Sequence, residues 1–256
     1  MAERIVGRNP VREILRTRSR VVEKIIIAQG AKGEPIEEIV TLAQEQGLVI
    51  EYVARENLTR DTSSVHHQGV MALVSPYSYW EMGELLARLD QEKEIFLLVL
   101  DQIEDPQNLG SLLRTAGAVG VQGVIIPQRR AVGITAAVVK ASAGISEYIP
   151  VVRVVNLART IDVLKERGIW IVGCDATVSR EIYQLDLRIP LALVIGSEGR
   201  GIQALVKKKC DFLVRLPMKG KVSSLNAAIA GAVAMYEVLR QRECSEAVRA
   251  VSSHSA

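Results

Sequence analysis

The sequence predicts an α/β protein built as two units in tandem. Short apolar runs of strand length alternate with stretches of helical period along most of the chain, the pattern that packs helices onto sheets. The runs after residue 92 are apolar on both faces, as in a buried and mainly parallel sheet. Between the halves the pattern breaks at SPYSYW, residues 75–80, where a proline and three aromatics fall within six positions.

The first unit covers residues 1–74. Asn9-Pro10 suits a helix start, with Asn as cap and Pro as the first helical residue. KIIIA at 24–28 reads as a strand, 35–46 as a helix closed by Gly47, and 48–53 as a second strand. Residues 55–60 form a short helical turn and 69–74 a third strand. The order α-β-α-β-α-β implies helices on a small sheet. Residues 75–91 read as a linker, or as the start of a bridging helix reaching Asp90.

The second unit covers 92–243. Strands are expected over 95–100, 123–126, 147–151, 169–174, 191–195 and 212–216. Helices are expected over 109–119, 135–141, 157–167, 202–207 and 224–240. The small polar residues 244–256 read as a disordered tail.

Aromatics are only 4% of the chain, so both cores must rest on Val, Ile, Leu and Ala. A net charge of +3 says little about partners, but its distribution says more. Residues 1–24 hold seven Lys or Arg against three Glu, and residues 206–221 hold six against one Asp. Either cluster alone could be a solvated face; two in one chain point to nucleic acid. Cys174, Cys210 and Cys244 form no CxxC pair, which argues for a reducing compartment and against a zinc site. The start MAERIVGRNP lacks an apolar run, and no stretch has membrane-spanning character, so a cytoplasmic protein with no membrane partner is expected.

Ligands of open α/β sheets gather outside the carboxyl ends of the strands, and three such junctions are rich here. In the first, DQIEDPQNLGSLLR, Asn108 stands where a helix would be capped. Helical side chains lean toward the N-terminus, so Arg114 is expected over the turn holding Gly110, which leaves room for the guanidinium. A cation there gains nothing from the helix dipole, so an external anion is expected, against a plain pairing with Glu104 or Asp105. The second, IGSEGRGI, sets Gly196, Gly199 and Gly201 around Glu198. Its GxxGxG spacing follows a late strand and is not the dinucleotide fingerprint, and Glu198 would repel phosphate. The alternative is a plain glycine turn. The third, LPMKGKVSSLNAAI, leads a basic glycine loop into a helix start with Ser223, Ser224 and Asn226. Its small residues, Ala227 to Ala234, imply tight packing against a helix or loop, including across a subunit interface. All three histidines, His66, His67 and His254, lie outside the second unit. A histidine-driven hydrolase and a zinc enzyme are thereby disfavoured, and His66-His67 reads as structural or RNA-facing.

Taken together, DPQNLGSLLRTAGAVG, LVIGSEGRGI and LPMKGKVSSLNAAIAGAVAMYE resemble the three ordered motifs of the SpoU/TrmH family of RNA 2′-O-ribose methyltransferases, of the SPOUT class. The first unit and VVRVVNLART resemble the RlmB-like subgroup of 23S rRNA guanosine-2′-O-methyltransferases, whose N-terminal domain is similar to kink-turn-binding ribosomal proteins. The resemblance implies an α/β-knot fold with a deep trefoil knot, a homodimer, and S-adenosyl-L-methionine as methyl donor without a metal. By position it assigns the methyl-donor site to Ile195, Gly196, Gly201, Leu216, Met218 and Leu225. It assigns the polar active site to Asn108, Arg114, Glu198, Ser224 and Asn226. Arg114 has been cast as a base in the family, but a guanidinium holds its proton too tightly, and gripping the neighbouring phosphate suits it better. Arg8, Arg12, Arg16 and Arg18, with Lys219 and Lys221, are the expected RNA contacts, whether the RNA is rRNA or tRNA.

Overall fold

The computed structural model describes residues 2–62, 67–92, 94–222 and 224–253. A strand the pattern did not predict, β1 (Glu3–Val6), opens the chain and pairs antiparallel with β4 (Val70–Val74). Four residues with two charges carry little local signal; the distant ladder makes the strand. Helix α1 (Arg8–Thr17) starts behind Gly7, whose φ of 107° only glycine adopts readily, so Asn9 is not its cap. Pro10 sits in the first turn, where no helical partner awaits its missing N–H. β2 (Val22–Ala28), α2 (Glu34–Glu45), β3 (Ile50–Val53) and α3 (Arg55–Thr62) follow. The sheet order is β1-β4-β2-β3, and Ile14 and Ile39 from the helices bury against Ile25 and Ile27.

His67 is fully buried and structural: Nδ1 accepts from Gly69 N–H at 3.0 Å and Nε2 lies 3.0 Å from Thr59 Oγ1. Burial, then the charges of Arg55 and Lys140, lower its pKa, so the ring stays neutral. His66 lies outside the described residues.

Residues 75–80 are an extended strap rather than a helix. Tyr77 donates from its hydroxyl to Ser146 O (3.2 Å), Tyr79 accepts from Ile134 N–H (2.8 Å), and Trp80 N–H donates to Val151 O (3.0 Å). Only then does α4 (Met82–Leu89) begin, closed by a capping box between Glu81 and Glu84.

The second unit contains β5 (Phe96–Asp101), α5 (Pro106–Ala118), β6 (Gly123–Pro127), α6 (Ala136–Ala141), β7 (Val151–Val154) and α7 (Leu157–Glu166). It continues with β8 (Trp170–Cys174), β9 (Leu191–Gly196), α8 (Ala204–Lys209), β10 (Phe212–Val214) and α9 (Ala227–Ser253). The sheet order is β10-β8-β9-β5-β6-β7, every pairing parallel, as the two-sided apolar runs require. The strand expected over 147–151 is displaced: Ile145–Glu147 is a 3-10 turn. There the Glu147 side chain, fully buried, meets Arg20 of the first unit at 2.7 Å. Helix α9 runs to Ser253, so residues 244–253 carry helical backbone where a disordered tail was expected.

Candidate active site

β5, β8, β9 and β10 end at one edge of the sheet, and the loops beyond them build the site. Beyond β9 the chain doubles back: Ser197 and Gly201 exchange backbone bonds of 3.2 and 2.9 Å. Gly199 and Gly201 hold φ values of 85° and 65° to make this turn. A Cβ on Gly196 would overlap the carbonyl carbon of Gly201. The backbone therefore closes on itself where a side chain would block it. The returning end is fixed by Asp101, which accepts from Gln203 N–H (2.7 Å) and Gln203 Nε2 (2.6 Å) while fully buried.

Helix α9 is capped by Asn226, whose Oδ1 accepts from Ala228 N–H (2.9 Å) and Ile229 N–H (3.3 Å). With the oxygen so committed, the amide nitrogen faces the site. Nδ2 donates to Asn108 Oδ1 and to Glu198 Oε2, each at 2.9 Å. Two protons on one nitrogen thus join the three segments singled out in the sequence.

Two clefts flank Glu198. The larger, of about 430 Å³, is lined by Ile195, Gly196, Gly201, Leu216, Met218 and Leu225, all six residues expected around the methyl donor, with Ser224 at its edge. The smaller, of about 290 Å³, is lined by Glu104, Asp105 and Asn108. Ser197, Glu198 and Arg200 belong to both. Ser197 Oγ and Arg215 Nε in the larger cleft's walls are buried without a partner, the kind of atom a polar ligand satisfies.

Helix α5 corrects the reading of the first junction. Its cap is Asp105, which accepts from Gln107 N–H (3.3 Å) and Asn108 N–H (3.1 Å), so Asn108 lies inside the first turn with its side chain free for Asn226. Six residues on, Arg114 stands about 120° around the helix from Asn108. It is exposed and lines neither cleft. Gly110 does not make room for it: a Cβ there would overlap the Ala141 Cβ, so Gly110 serves the α5–α6 contact. Likewise Gly231 of α9 serves contact within the chain, since a Cβ there would overlap Leu112.

The expected RNA contacts divide. Arg12 and Arg16 are held by Glu13 and Glu38, and Arg8 Nε donates to Gln68 O at 3.1 Å. Arg18 is an exposed left-handed residue ending α1, and Lys219 and Lys221 are exposed on the loop before α9.

Sequence reasoning missed Asp101, Ser197, Arg200, Asp175 and Thr177. Asp101 ends an otherwise apolar strand, a signal that was available. Asp175, on the larger cleft's wall, meets Lys207 Nζ at 2.6 Å. Burial alone would raise its pKa, but hydrogen bonds from Lys207 and Thr177 outweigh that and lower it. Burial pushes the neighbouring Cys174 thiol up to about 12. Among the described residues no group of three or more His, Cys, Asp or Glu side chains could hold a metal ion. Nor, among them, is any helix long and apolar enough to cross a membrane.

Residues 95–236 match the sequence pattern of the SpoU rRNA Methylase family, and residues 4–80 match that of RNA 2′-O ribose methyltransferase substrate binding. YacO of Bacillus subtilis (strain 168), assigned to the TrmH family of tRNA/rRNA methyltransferases, is 49% identical over 93% of this chain and 95% of its own length. A Staphylococcus aureus (strain COL) protein of the same assignment is 47% identical over 93% of this chain and 96% of its own. The SpoU methyltransferase AviRb of Streptomyces viridochromogenes, solved in complex with the cofactor AdoMet, superposes with a TM-score of 0.79. It is 25% identical, and the match covers 94% of this chain and 90% of AviRb.

Proposed function

Because the chain belongs to the SpoU rRNA Methylase family, we propose that it methylates a ribose 2′-hydroxyl of structured RNA, a guanosine of 23S rRNA, from S-adenosyl-L-methionine. The observation that carries this reading is the pair of 2.9 Å bonds from Asn226 Nδ2, which bring residues far apart in sequence to the wall between two clefts.

The larger cleft fits the methyl donor. Ile195, Leu216, Met218 and Leu225 offer an apolar wall for a purine, Gly196 and Gly201 bring backbone close, and the orphaned Ser197 Oγ awaits a polar partner. The bound donor supplies an activated methyl on a sulfonium. The RNA occupies the smaller cleft, with its 2′-oxygen directed across Glu198. As the oxygen–methyl bond forms, the carbon–sulfur bond breaks, its electron pair stays on sulfur, and the hydroxyl proton leaves to solvent. Glu198 faces the cationic side, while Asn226 holds its carboxylate in place, Asn108 accepts the other Nδ2 proton of Asn226, and Ser224 lines the cleft. Positioning supplies much of the acceleration, because the leaving group needs no acid help.

Arg114, outside the clefts of its own chain, completes the site of a second copy in a homodimer, where it grips the phosphate beside the reacting ribose. In support, α9 exposes Ile229, Val233 and Tyr236 along one face, at 54%, 39% and 53%, an apolar stripe beside α5 that a second copy would cover. The first unit grips RNA through Arg18 and Arg8, with Arg12 and Arg16 already held by Glu13 and Glu38, and Lys219 and Lys221 flank the larger cleft. The trefoil knot is part of the same reading, as the resemblance to the SpoU/TrmH family implies. A tRNA nucleotide is the second reading, favoured by the tRNA/rRNA assignment of YacO.

The test is transfer of tritium from methyl-labelled donor to RNA of cells lacking this protein, followed by mapping of 2′-O-methyl sites. Label in 23S rRNA at one guanosine, lost in Glu198→Ala, is expected; label in tRNA selects the second reading. An RNA-binding protein that takes up no donor by calorimetry and labels neither RNA would end the enzyme assignment.

A further inference from the structure

Of the four first-unit arginines expected to hold RNA, Arg12 and Arg16 are neutralised by Glu13 and Glu38, and the buried Arg20 nearby is likewise spent on Glu3 and Glu147. A different stretch keeps its charge. Residues 106–146 contain no Asp or Glu, yet carry Arg114, Arg129, Arg130 and Lys140. Arg129 and Arg130 lie in the loop after β6, both exposed, and no carboxylate of the described residues pairs with either.

The loop that presents them is fastened at each step. Gln128 N–H donates to Val154 O (2.8 Å), and Arg153 Nη2 donates to Gln128 O (3.1 Å). Val132 N–H donates to Ile103 O (2.9 Å), and Ile134 N–H to the Tyr79 hydroxyl (2.8 Å). Arg130 itself is left-handed, with φ of 56°, an uncommon state for a long side chain and one that persists where the surroundings enforce it. Ile103 matters because it lines the smaller cleft. The arginine loop is therefore bonded directly to the wall of the cleft that takes the ribose. Both loops leave neighbouring parallel strands at the same sheet edge. Glu104 and Asp105 lie on the cleft side of Ile103, and Asp105 is committed to capping α5.

We propose that Arg129 and Arg130 form a phosphate-binding ledge that holds the RNA backbone flanking the modified nucleotide, beside the cleft and independently of sequence. This rests on the reading of the smaller cleft as the RNA site. Two guanidiniums on a braced loop suit phosphate oxygens and would fix the strand's path without reading its bases.

The test compares wild type with Arg129→Ala/Arg130→Gly, in which glycine keeps the left-handed backbone. The probe is labelled total RNA from cells lacking the protein. The variant should bind it about ten-fold more weakly, and its slope of log affinity against log salt should flatten by about 1 to 2. Donor affinity and kcat at saturating RNA should stay as in wild type, with the loss in KM. Arg129→Lys/Arg130→Lys should recover most of the binding. Unchanged affinity and salt slope would overturn the ledge, as would a fall in oligomer mass on sedimentation, which would make the loop a contact between copies. If wild type neither bound the donor nor labelled RNA, the functional reading itself would fail instead.

Discussion

Asn226 and Glu198 are joined by a 2.9 Å hydrogen bond from Nδ2 to Oε2, while the Asn226 oxygen caps α9. One side chain therefore both starts a helix and sets a carboxylate. Asn226→Asp separates the two roles. The aspartate still caps, so stability should fall by well under the roughly 0.5–2 kcal/mol of a lost cap. It places a second carboxylate against Glu198, however, and methyl transfer should drop at least about a hundred-fold, as for removal of a key site interaction. Urea denaturation and single-turnover transfer check the two halves.

Gly196→Ala should abolish binding of the methyl donor by calorimetry and destabilise the chain by about 1–3 kcal/mol, the scale of overpacking. Gly220→Ala is the control: nothing lies within 4 Å of a Cβ there. Equal behaviour of the two variants would count against the closed turn.

Mixing Arg114→Ala with Asn226→Ala chains tests where Arg114 acts. Each variant alone should be inactive. If Arg114 serves the neighbouring copy, a mixed dimer has one site with both residues intact. A fully exchanged equal mixture should then recover about a quarter of wild-type activity, since half the dimers are mixed and each has one working site. No recovery would place Arg114 in its own chain's site or outside the reaction.

How much of this was legible in the sequence differs from residue to residue. The six residues that line the larger cleft came from the resemblance of the motifs to those of the SpoU/TrmH family, and local chemistry marked only the glycine turn among them. The direction of Arg114 was not legible. It depended on whether Asn108 or Asp105 starts α5, and three residues of helix turn a side chain by about 300°. β1 and the contact of Arg20 with Glu147 were hidden because their partners lie far along the chain, and no local pattern encodes a partner's position.

Arg20→Ala should strip the buried Glu147 of its counter-charge. Breaking such a pair from one side costs about 3–5 kcal/mol, which should appear as a lower urea midpoint. The donor cleft, built wholly from the second unit, should keep its affinity wherever the variant remains folded.

The lowered pKa of Asp175 makes a pH prediction. Its ordinary value is 3.8, so its contribution to stability is fully present above about pH 5 and is lost as pH falls through the lower folded value. Asp175→Asn should therefore be less stable than wild type at pH 7, and the gap should narrow toward pH 2. Thermal unfolding across that range is the measurement. A gap that widens on acidification would contradict the assigned direction.

The strap at residues 75–80 has a consequence for what the protein can accept. Bound to Ser146, Ile134 and Val151 of the second unit, and to the first through Ser75 N–H on Val21 O at 2.8 Å and Arg20 over the Tyr77 ring, it acts as a strut, so the separation between the two units works like the fixed jaws of a caliper. An RNA whose anchoring element sits too far from its methylated nucleotide should then have to bend to fit or be passed over. Spacing along the transcript, as much as the base at the target, then becomes a criterion for selection.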